Sequence, residues 1–377
     1  MPTIDPFTIS IPNDALDDLR RRLLATRWPD QMPGQEWVYG AERSEVQAIV
    51  EYWANTYDWR KAEAEINSHP QFTTTIDGER VHFLHVRSSH ADATPLLLTH
   101  GWPGSIVEFL HLIGPLAEPT DGSRPFHLVI PSLPGFGFSG PTVTPGVDPR
   151  RIATMWAQLM AGLGYDRYVA QGGDWGAIIT GHIGGVDPDH CVGIHLNMVP
   201  ARPTAELMAD ATDAEKEVVA ATRHFQAEET GYQSIQGTKP QTLAYALTDS
   251  PAGLCAWIYE KFHSWSDRAG GDVFNTHDRD RFCTNLMLYW LTNTAGSAAR
   301  IYYEQRHLGG KQAENVTVPT AGAIFPADIY RSSRRFTEAH FDVVHWTEFD
   351  TGGHFAALEE PALLQADIRS FVDQILS

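Results

Sequence analysis

From about residue 95 onward, short apolar runs alternate with amphipathic stretches, and this alternation restricts the fold more than any other feature of the sequence. Apolar runs at residues 95–99, 127–130, 167–170, 317–325 and 343–349 have the length of buried strands. The segments between several of them carry apolar residues at helical spacing. Strands that alternate with helices build a mostly parallel sheet covered on both faces. We therefore predict an α/β fold.

Two segments break this pattern and set the expected domain boundaries. Between residues 202 and 314 the strand signal disappears, which predicts a helical cap inserted above the strand ends. Residues 1–92 contain a predicted helix at residues 14–25 and several tryptophans, and we expect them to form a meander packed on the outside of the core. Residues 93–201 and 315–377 then supply the two parts of that core.

Composition restricts the partners. The chain of 377 residues has 42% apolar and 20% charged residues, which is typical of a globular protein. Its formal charge of −19 and the absence of a Lys- or Arg-rich run argue against nucleic acid and anionic membranes as partners. No run approaches the roughly 18–20 apolar residues of a membrane-spanning helix, and the N-terminus does not resemble a secretory signal. We expect a soluble, cytoplasmic protein; its oligomeric state stays open, a homodimer included.

The cysteines and histidines do not indicate a metal site. Cys191, Cys255 and Cys283 are too far apart for a zinc motif or a disulfide framework, so we expect buried thiols. His82 and His85 lie three residues apart in a predicted strand and therefore point to opposite faces of the sheet. We expect neither a metal nor a cofactor.

The sequence QGGDWGA, residues 171–177, follows a predicted strand and places glycines around Asp174. Glycines two residues before and after the central residue let a strand turn sharply into a helix, where many hydrolases carry a nucleophilic serine. We expect the N–H groups of the helix beginning at Trp175 to stabilise the Asp174 carboxylate. A carboxylate attacks a saturated carbon that bears a leaving group, and the product is an ester. The absence of a Gly-x-Ser-x-Gly sequence argues against a serine esterase.

Hydrolysis of that ester requires a base, an acid that orients the base, and donors for an oxyanion. His354, in the sequence TGGHF before the last predicted helix, has the position expected of the base. Asp328 follows the strand that ends at residue 325 and is the candidate orienting acid. The backbone N–H groups of Trp102 and Trp175 are the candidate oxyanion-hole donors.

Several motifs together resemble the microsomal or juvenile-hormone type of epoxide hydrolase. In chain order they are LRRRLLATRWPDQ, HGWPGS, PSLPGFGFS, QGGDWGA, the segment 231–262 and TGGHFAALEEP. The resemblance covers nearly the whole chain. It implies an α/β-hydrolase fold with a helical cap and an N-terminal meander. It also implies that water adds to an epoxide through an alkyl-enzyme ester on Asp174.

The resemblance further implies two cap tyrosines that hold the epoxide oxygen, at the positions of Tyr232 and Tyr302. Phenol hydroxyls suit this role, because ring opening expels an alkoxide whose charge they stabilise and which one of them can protonate. Around the pocket we expect His100, Pro103, Phe138 and Phe355. The aromatic residues in these motifs favour an apolar or aromatic epoxide substituent, in either a detoxification or a secondary-metabolite role.

Two assignments stay open within the resemblance. Tyr303 adjoins Tyr302, so either of the two is a candidate for the second donor. The family's orienting acid is Asp or Glu, which leaves Glu304 and Asp350 as alternatives to Asp328.

Two other functions compete with epoxide hydrolysis. A haloalkane dehalogenase also uses an aspartate followed by a tryptophan on this fold, but it holds a halide with indole or amide N–H donors. A catalytically silent binding protein is the second alternative, and it has no need of Asp174, Asp328 and His354 together. The cap tyrosines and the N-terminal segment favour the epoxide.

Overall fold

A computed structural model of the chain describes residues 3–199, 201–268, 271–310, 313 and 315–377. The strands of this part form one sheet and are β1 (Asp5–Phe7), β2 (Gln71–Ile76), β3 (Glu79–Val86), β4 (Thr94–Thr99), β5 (Phe126–Pro131), β6 (Tyr168–Gly172), β7 (Cys191–Asn197), β8 (Val316–Ile324) and β9 (Phe341–Glu348). Their order across the sheet is β1-β2-β3-β5-β4-β6-β7-β8-β9. Neighbours from β5 to β9 run parallel, whereas β1, β2 and β3 continue the sheet antiparallel. The predicted mostly parallel sheet is confirmed.

Helices occupy most of the remaining chain. They are α1 (Asn13–Leu24), α2 (Arg43–Asn55), α3 (Trp59–Asn67), α4 (Leu110–Ala117), α5 (Pro149–Gly162), α6 (Trp175–Val186), α7 (Ala205–Ala209), α8 (Asp213–Glu228), α9 (Gly231–Gln236), α10 (Pro240–Asp249), α11 (Pro251–Trp265), α12 (Arg279–Leu291), α13 (Ala295–Ala298), α14 (Arg300–His307), α15 (Arg334–Thr337), α16 (Ala356–Glu359) and α17 (Pro361–Leu376). Short 3-10 turns lie at Ile106–Phe109, Gly137–Ser139 and Val273–Asn275. Within the described ranges, no helix combines the length and the apolar character needed to cross a bilayer.

Helices cover both faces of the sheet. A Cβ on Gly193 of β7 would meet Phe371 of α17, whereas the next residue, Ile194, lies against Gly184 of α6. Successive strand residues point to opposite faces, so α6 and α17 lie on opposite sides of the sheet. The glycines allow both helices to approach it closely.

The sheet is larger than the sequence analysis predicted. Strand β7 was not predicted, because Gly193 and His195 interrupt its apolar pattern. Residues 1–92 were expected to pack on the outside of the core, but they contribute β1, β2 and β3 to the sheet itself. At the end of β2, Thr74 and Ile76 are buried and Thr75 between them is exposed, as in a half-buried antiparallel strand.

Helices α7–α14 lie between β7 and β8 in sequence, within the range 202–314 predicted for the cap; residue 314 itself lies outside the described part of the chain. The N-terminal helices hold this layer. The hydroxyl of Tyr52 donates to Asp280 (2.6 Å), and the hydroxyl of Tyr259 donates to Glu45 (2.6 Å). We therefore propose the predicted division into a core and a cap, with an N-terminal segment that belongs partly to the sheet and partly to the support of the cap.

A buried carboxylate ties the end of the chain to the sheet. Asp367 of α17 accepts hydrogen bonds from His195 Nε2 on β7 (2.9 Å), from His345 Nε2 on β9 (2.8 Å) and from Thr347 Oγ1 (2.5 Å). Burial alone would raise the pKa of Asp367, but these hydrogen bonds hold it below its ordinary value. The carboxylate therefore stabilises the docking of α17 in its ionised form.

Replacing Asp367 with Asn should lower the free energy of unfolding in urea at pH 7 by about 3 kcal/mol, because a buried charged partner is lost. Since the pKa of Asp367 is lowered in the folded state, its contribution is complete above about pH 4 and disappears only in more acidic solution. Asp373→Asn is the control, because Asp373 lies on the same helix but forms an exposed pair with Arg124 and should cost less than about 1 kcal/mol. Equal losses in the two variants would contradict the assignment.

Candidate active site

Asp174 lies at the turn between β6 and α6. Its φ of 53° is in the region of positive φ that residues with a side chain rarely adopt. A Cβ at Gly172 would overlap the carbonyl oxygen of Gly176, and a Cβ at Gly176 would overlap the carbonyl oxygen of Thr99 on β4. Both glycines are therefore required by close backbone packing, and the turn lifts the Asp174 side chain out of the sheet at the carboxyl end of β6.

The carboxylate of Asp174 receives its backbone hydrogen bond from β4's loop. The N–H of Trp102 donates to Asp174 Oδ1 at 2.7 Å. A Cβ at Gly101 would overlap the Asp174 side chain, so the glycine of the loop sequence HGW is needed to make room for Asp174. The structure differs from the prediction in one respect: the carboxylate does not cap its own helix, and the expected bond from the first turn at Trp175 is not formed. Of the two backbone N–H groups predicted as oxyanion-hole donors, that of Trp102 contacts the carboxylate and that of Trp175 does not; their role in an oxyanion hole stays a prediction.

His354 lies between two carboxylates. Its Nδ1–H donates to Asp328 Oδ1 at 2.8 Å, and its Nε2 is 3.3 Å from Asp174 Oδ2. Within the described residues, neither Glu304 nor Asp350 pairs with this ring, so the structure brings Asp328 to it. Burial would lower the pKa of His354, but the two aspartates outweigh that effect and raise it to about 10. The ring is therefore protonated at neutral pH when Asp174 is ionised.

The loop that carries His354 is fixed to the cap. The N–H of His354 donates to the carbonyl of Trp265 (2.9 Å), at the end of α11. Glu359 accepts hydrogen bonds from the N–H groups of Phe355 (2.9 Å) and Asp267 (2.7 Å). These contacts join segments about 90 residues apart in the chain, and the sequence analysis did not identify them. They fix the imidazole relative to the cap.

Tyr232 of α9 and Tyr302 of α14 meet over Trp102. The Tyr232 ring is stacked on Trp102 with 5.0 Å between centroids, and the Tyr302 ring lies edge-on to Trp102 at 5.8 Å. The two tyrosines are 4% and 7% exposed, whereas Tyr303 is 37% exposed and stacks on His307. Burial raises the pKa of both Tyr232 and Tyr302, which keeps their hydroxyls protonated. The structure thus places Tyr302, and not Tyr303, in this group.

A buried lysine supports Tyr232 and was not predicted. Lys261 of α11 is 5% exposed, and its Nζ lies 4.5 Å from the centroid of the Tyr232 ring. Its ammonium group also pairs with Glu260. A cation over an aromatic face contributes on the order of 0.5–2 kcal/mol, so Lys261 fixes the position of the Tyr232 ring.

His100 shapes the loop that presents Trp102. Its Nδ1–H donates to the Gly101 carbonyl (2.9 Å), and its Nε2 accepts from the N–H of Leu133 (3.1 Å). Burial lowers the pKa of His100 to about 4, so the ring is neutral and can both donate and accept. The carbonyl of Pro103 accepts from Asn285 Nδ2 of α12 (2.7 Å), which attaches the same loop to the cap.

The two predicted phenylalanines have different positions. Phe355 is buried, stacks on Phe262 with 4.0 Å between centroids and borders a small cavity beside Asp174. Phe138 packs against Phe7 and His82, in the strands contributed by the N-terminal segment, and the structure does not bring it to Asp174. Its neighbour Phe136 contacts His100 instead.

The chain matches known families over nearly its whole length. Residues 4–109 match the family described as epoxide hydrolase N terminus, and residues 94–361 match the family described as alpha/beta hydrolase fold. A relative from Stigmatella aurantiaca (strain DW4/3-1), named "Putative epoxide hydrolase", is 44% identical over 380 residues, which cover 99% of this chain and 85% of the relative.

Two solved structures have the same fold throughout. Juvenile hormone epoxide hydrolase from the silkworm Bombyx mori shares 31% identity at a TM-score of 0.92, covering 100% of this chain and 95% of that one. Aspergillus niger epoxide hydrolase shares 34% identity at a TM-score of 0.89, covering 99% and 97% of the two chains. The predicted α/β-hydrolase fold is confirmed, and the chain belongs to the epoxide hydrolase family.

Proposed function

We propose that this protein converts an epoxide to a vicinal diol through an ester on Asp174. The observation that carries the proposal is the pairing of Asp174 with the His354–Asp328 couple, beneath two buried tyrosines of the cap. A carboxylate nucleophile, a base held by a second acid, and two protonated phenols are the groups that a two-step opening of an epoxide requires.

In the first step, Asp174 Oδ2 attacks an epoxide carbon, and the bond between that carbon and the ring oxygen breaks. Tyr232 and Tyr302 hold the ring oxygen, and the developing alkoxide takes a proton through them. The proton is replaced from His354, whose pKa of about 10 makes it the protonated group of the resting site. The product is a neutral ester, a hydroxyl group and a neutral imidazole, so charge and protons balance.

In the second step, His354 takes a proton from water, and the water oxygen attacks Cγ of the ester. Esterification removes the charge of Asp174, one of the two carboxylates that raise the pKa of His354. The pKa of the imidazole therefore falls when a base is needed. The negative charge of the intermediate develops on Oδ1, which the N–H of Trp102 already contacts. Collapse releases the diol and restores the Asp174 carboxylate and the protonated His354.

The surroundings favour an epoxide with an apolar or aromatic substituent. Trp102, Trp265 and the two tyrosines form a connected group of aromatic rings. Such a surface binds apolar groups by excluding water, while the hydroxyls orient the one polar atom of the ring.

Haloalkane dehalogenation is a second candidate, because one observation favours it. The indole N–H of Trp175 is buried and interacts with the Tyr302 hydroxyl without meeting the geometry of a full hydrogen bond, so it could donate to a halide. Against this, the Tyr302 ring lies 4.7 Å from the Trp175 ring and places a phenol beside it. Release of halide from chloroalkanes and bromoalkanes, measured beside diol formation from styrene-like, aliphatic and terpenoid epoxides, distinguishes the two activities.

A single turnover in heavy-oxygen water should place the isotope on Asp174 and leave the first diol unlabelled, because water attacks the enzyme ester. Mass spectrometry of the peptide that contains residue 174 and of the diol makes the measurement. A second turnover by the labelled enzyme should then deliver the isotope to the diol, which serves as an internal control. Label in the first diol would mean that water opens the ring directly.

Replacing His354 with Gln should still allow ester formation, because the tyrosines can then draw the proton for the alkoxide from solvent. Turnover should fall by about 1,000-fold or more, because the base of the second step is lost. The intact protein should gain the mass of one substrate molecule. The double variant with Asp174→Asn should stay unmodified. A His354→Gln variant that binds an epoxide but gains no mass would contradict the two-step scheme.

Replacing Tyr232 and Tyr302 together with Phe should slow ester formation in a single turnover by about 1,000-fold, because both donors to the alkoxide are lost. Tyr303→Phe is the matched control, since its ring lies on the exposed side of the same helix, and it should stay within twofold of the unaltered enzyme. Unchanged ester formation in the double variant would remove the proposed role of the tyrosines.

A further inference from the structure

A small cavity lies beside Asp174 and His354, and neither cap tyrosine borders it. It has room for roughly one water molecule. It is lined by Thr99, Gly101, Trp102, Gly104, Glu108, Phe109, Gly173, Asp174, Asn197, His354, Phe355, Ala356, Ala357 and Leu364. Two different environments therefore adjoin the Asp174 carboxylate. One is the group of aromatic rings proposed to bind the epoxide, and the other is this cavity.

Three polar side chains of the lining, those of Thr99, Glu108 and Asn197, have no role in the steps described above. Asn197 already accepts a hydrogen bond from Gln171 Nε2 (2.7 Å). Thr99 is fully buried, and its hydroxyl has no hydrogen-bond partner among the residues described. The carboxyl group of Glu108 folds back against Gly104, where a Cβ would overlap it. Burial raises the pKa of Glu108 to about 8 and outweighs the charge of His354 and the hydrogen bond from the Ser105 backbone N–H, which both lower it; the charge of Asp174 adds a smaller rise. The neutral form of Glu108 therefore predominates at pH 7. A buried hydroxyl without a protein partner and a neutral carboxyl group are suitable partners for an ordered water.

A structural role for Glu108 has to be weighed first. Ser105 and Glu108 have the spacing of a capping box, and Ser105 Oγ accepts from the N–H of Val107 (3.3 Å) at the start of the Ile106–Phe109 turn. Capping alone does not require that the carboxyl group share a buried cavity with Asp174 and His354. It also leaves the Thr99 hydroxyl unexplained.

We propose that this cavity is the binding site of the water that hydrolyses the ester, and that Glu108 and Thr99 hold that water. The inference rests on the proposed function. One hydrogen of the water is taken by His354 Nε2, and the other is directed to Glu108. The oxygen forms the new bond to Cγ of Asp174 as the bond from Cγ to the diol oxygen breaks. Glu108 stays neutral throughout, so the proton balance of the second step is unchanged.

The test separates the two half-reactions by quenching single turnovers and following the mass of the ester. Glu108→Met keeps the length of the side chain and removes its polar atoms. It should slow ester hydrolysis by about 10- to 100-fold through loss of water positioning, with ester formation within about threefold. Glu108→Gln keeps a neutral acceptor and should hydrolyse the ester within about fivefold of the unaltered enzyme.

Ser105→Ala controls for the capping role, because it removes the other half of the capping box and retains Glu108. It should not accumulate ester. Thr99→Val replaces the hydroxyl with a methyl group of similar shape and should slow ester hydrolysis at least threefold. It tests the proposal if Glu108→Met does not fold. An unchanged rate of ester hydrolysis in Glu108→Met would overturn the proposal; if Glu108→Met does not fold, an unchanged rate in Thr99→Val would do so. Equal accumulation of ester in Ser105→Ala and Glu108→Met would also overturn it. If His354→Gln also forms no ester, the proposed function itself fails, which is a separate result.

Discussion

The close approach of β4 to the turn between β6 and α6 is the constraint on which the rest of the site depends. Gly176 lies against the carbonyl of Thr99, and Gly101 leaves room for the side chain of Asp174. Side chains at these glycines would push the two segments apart and separate the Asp174 carboxylate from the N–H of Trp102. Backbone packing therefore determines where the Asp174 carboxylate lies, and a sheet buried between helix layers keeps that packing rigid.

Burial and pairing together set the charge of each group around Asp174. Tyr232, Tyr302 and Glu108 lack a cationic partner strong enough to offset desolvation, and their raised pKa values keep them neutral. His354 is equally buried, but two carboxylates reverse the effect of desolvation. The site thus stores one proton on the imidazole and keeps the other donors intact. A reaction that neutralises Asp174 changes this balance without any movement of the backbone.

Much of the core was predictable, because its candidate site residues follow one another in a fixed order along the chain. The aspartate between glycines, the acid after a late strand and the histidine before the last helix are local patterns at the ends of predictable strands. Strand β7 was missed because Gly193 and His195 break its apolar run, although both face well-packed helical or polar partners. The spacing of Phe136 and Phe138 does not reveal which ring faces His100. Glu108 and Lys261 look like ordinary helix-surface charges until packing between distant segments covers them, Lys261 fully and Glu108 in part.

The attachment of the cap has a consequence for substrate traffic. Tyr52 and Tyr57 of the N-terminal segment bond to Asp280 and Thr284 of α12, while Tyr259 of α11 bonds to Glu45. Among the described residues, the cap is joined to the sheet loops on one side and to these N-terminal helices on the other. Opening by a domain rotation would break several of these exposed and partly buried hydrogen bonds at once. We infer that molecules enter and leave by local rearrangement of side chains and short loops, so that the width of that passage limits substrate size.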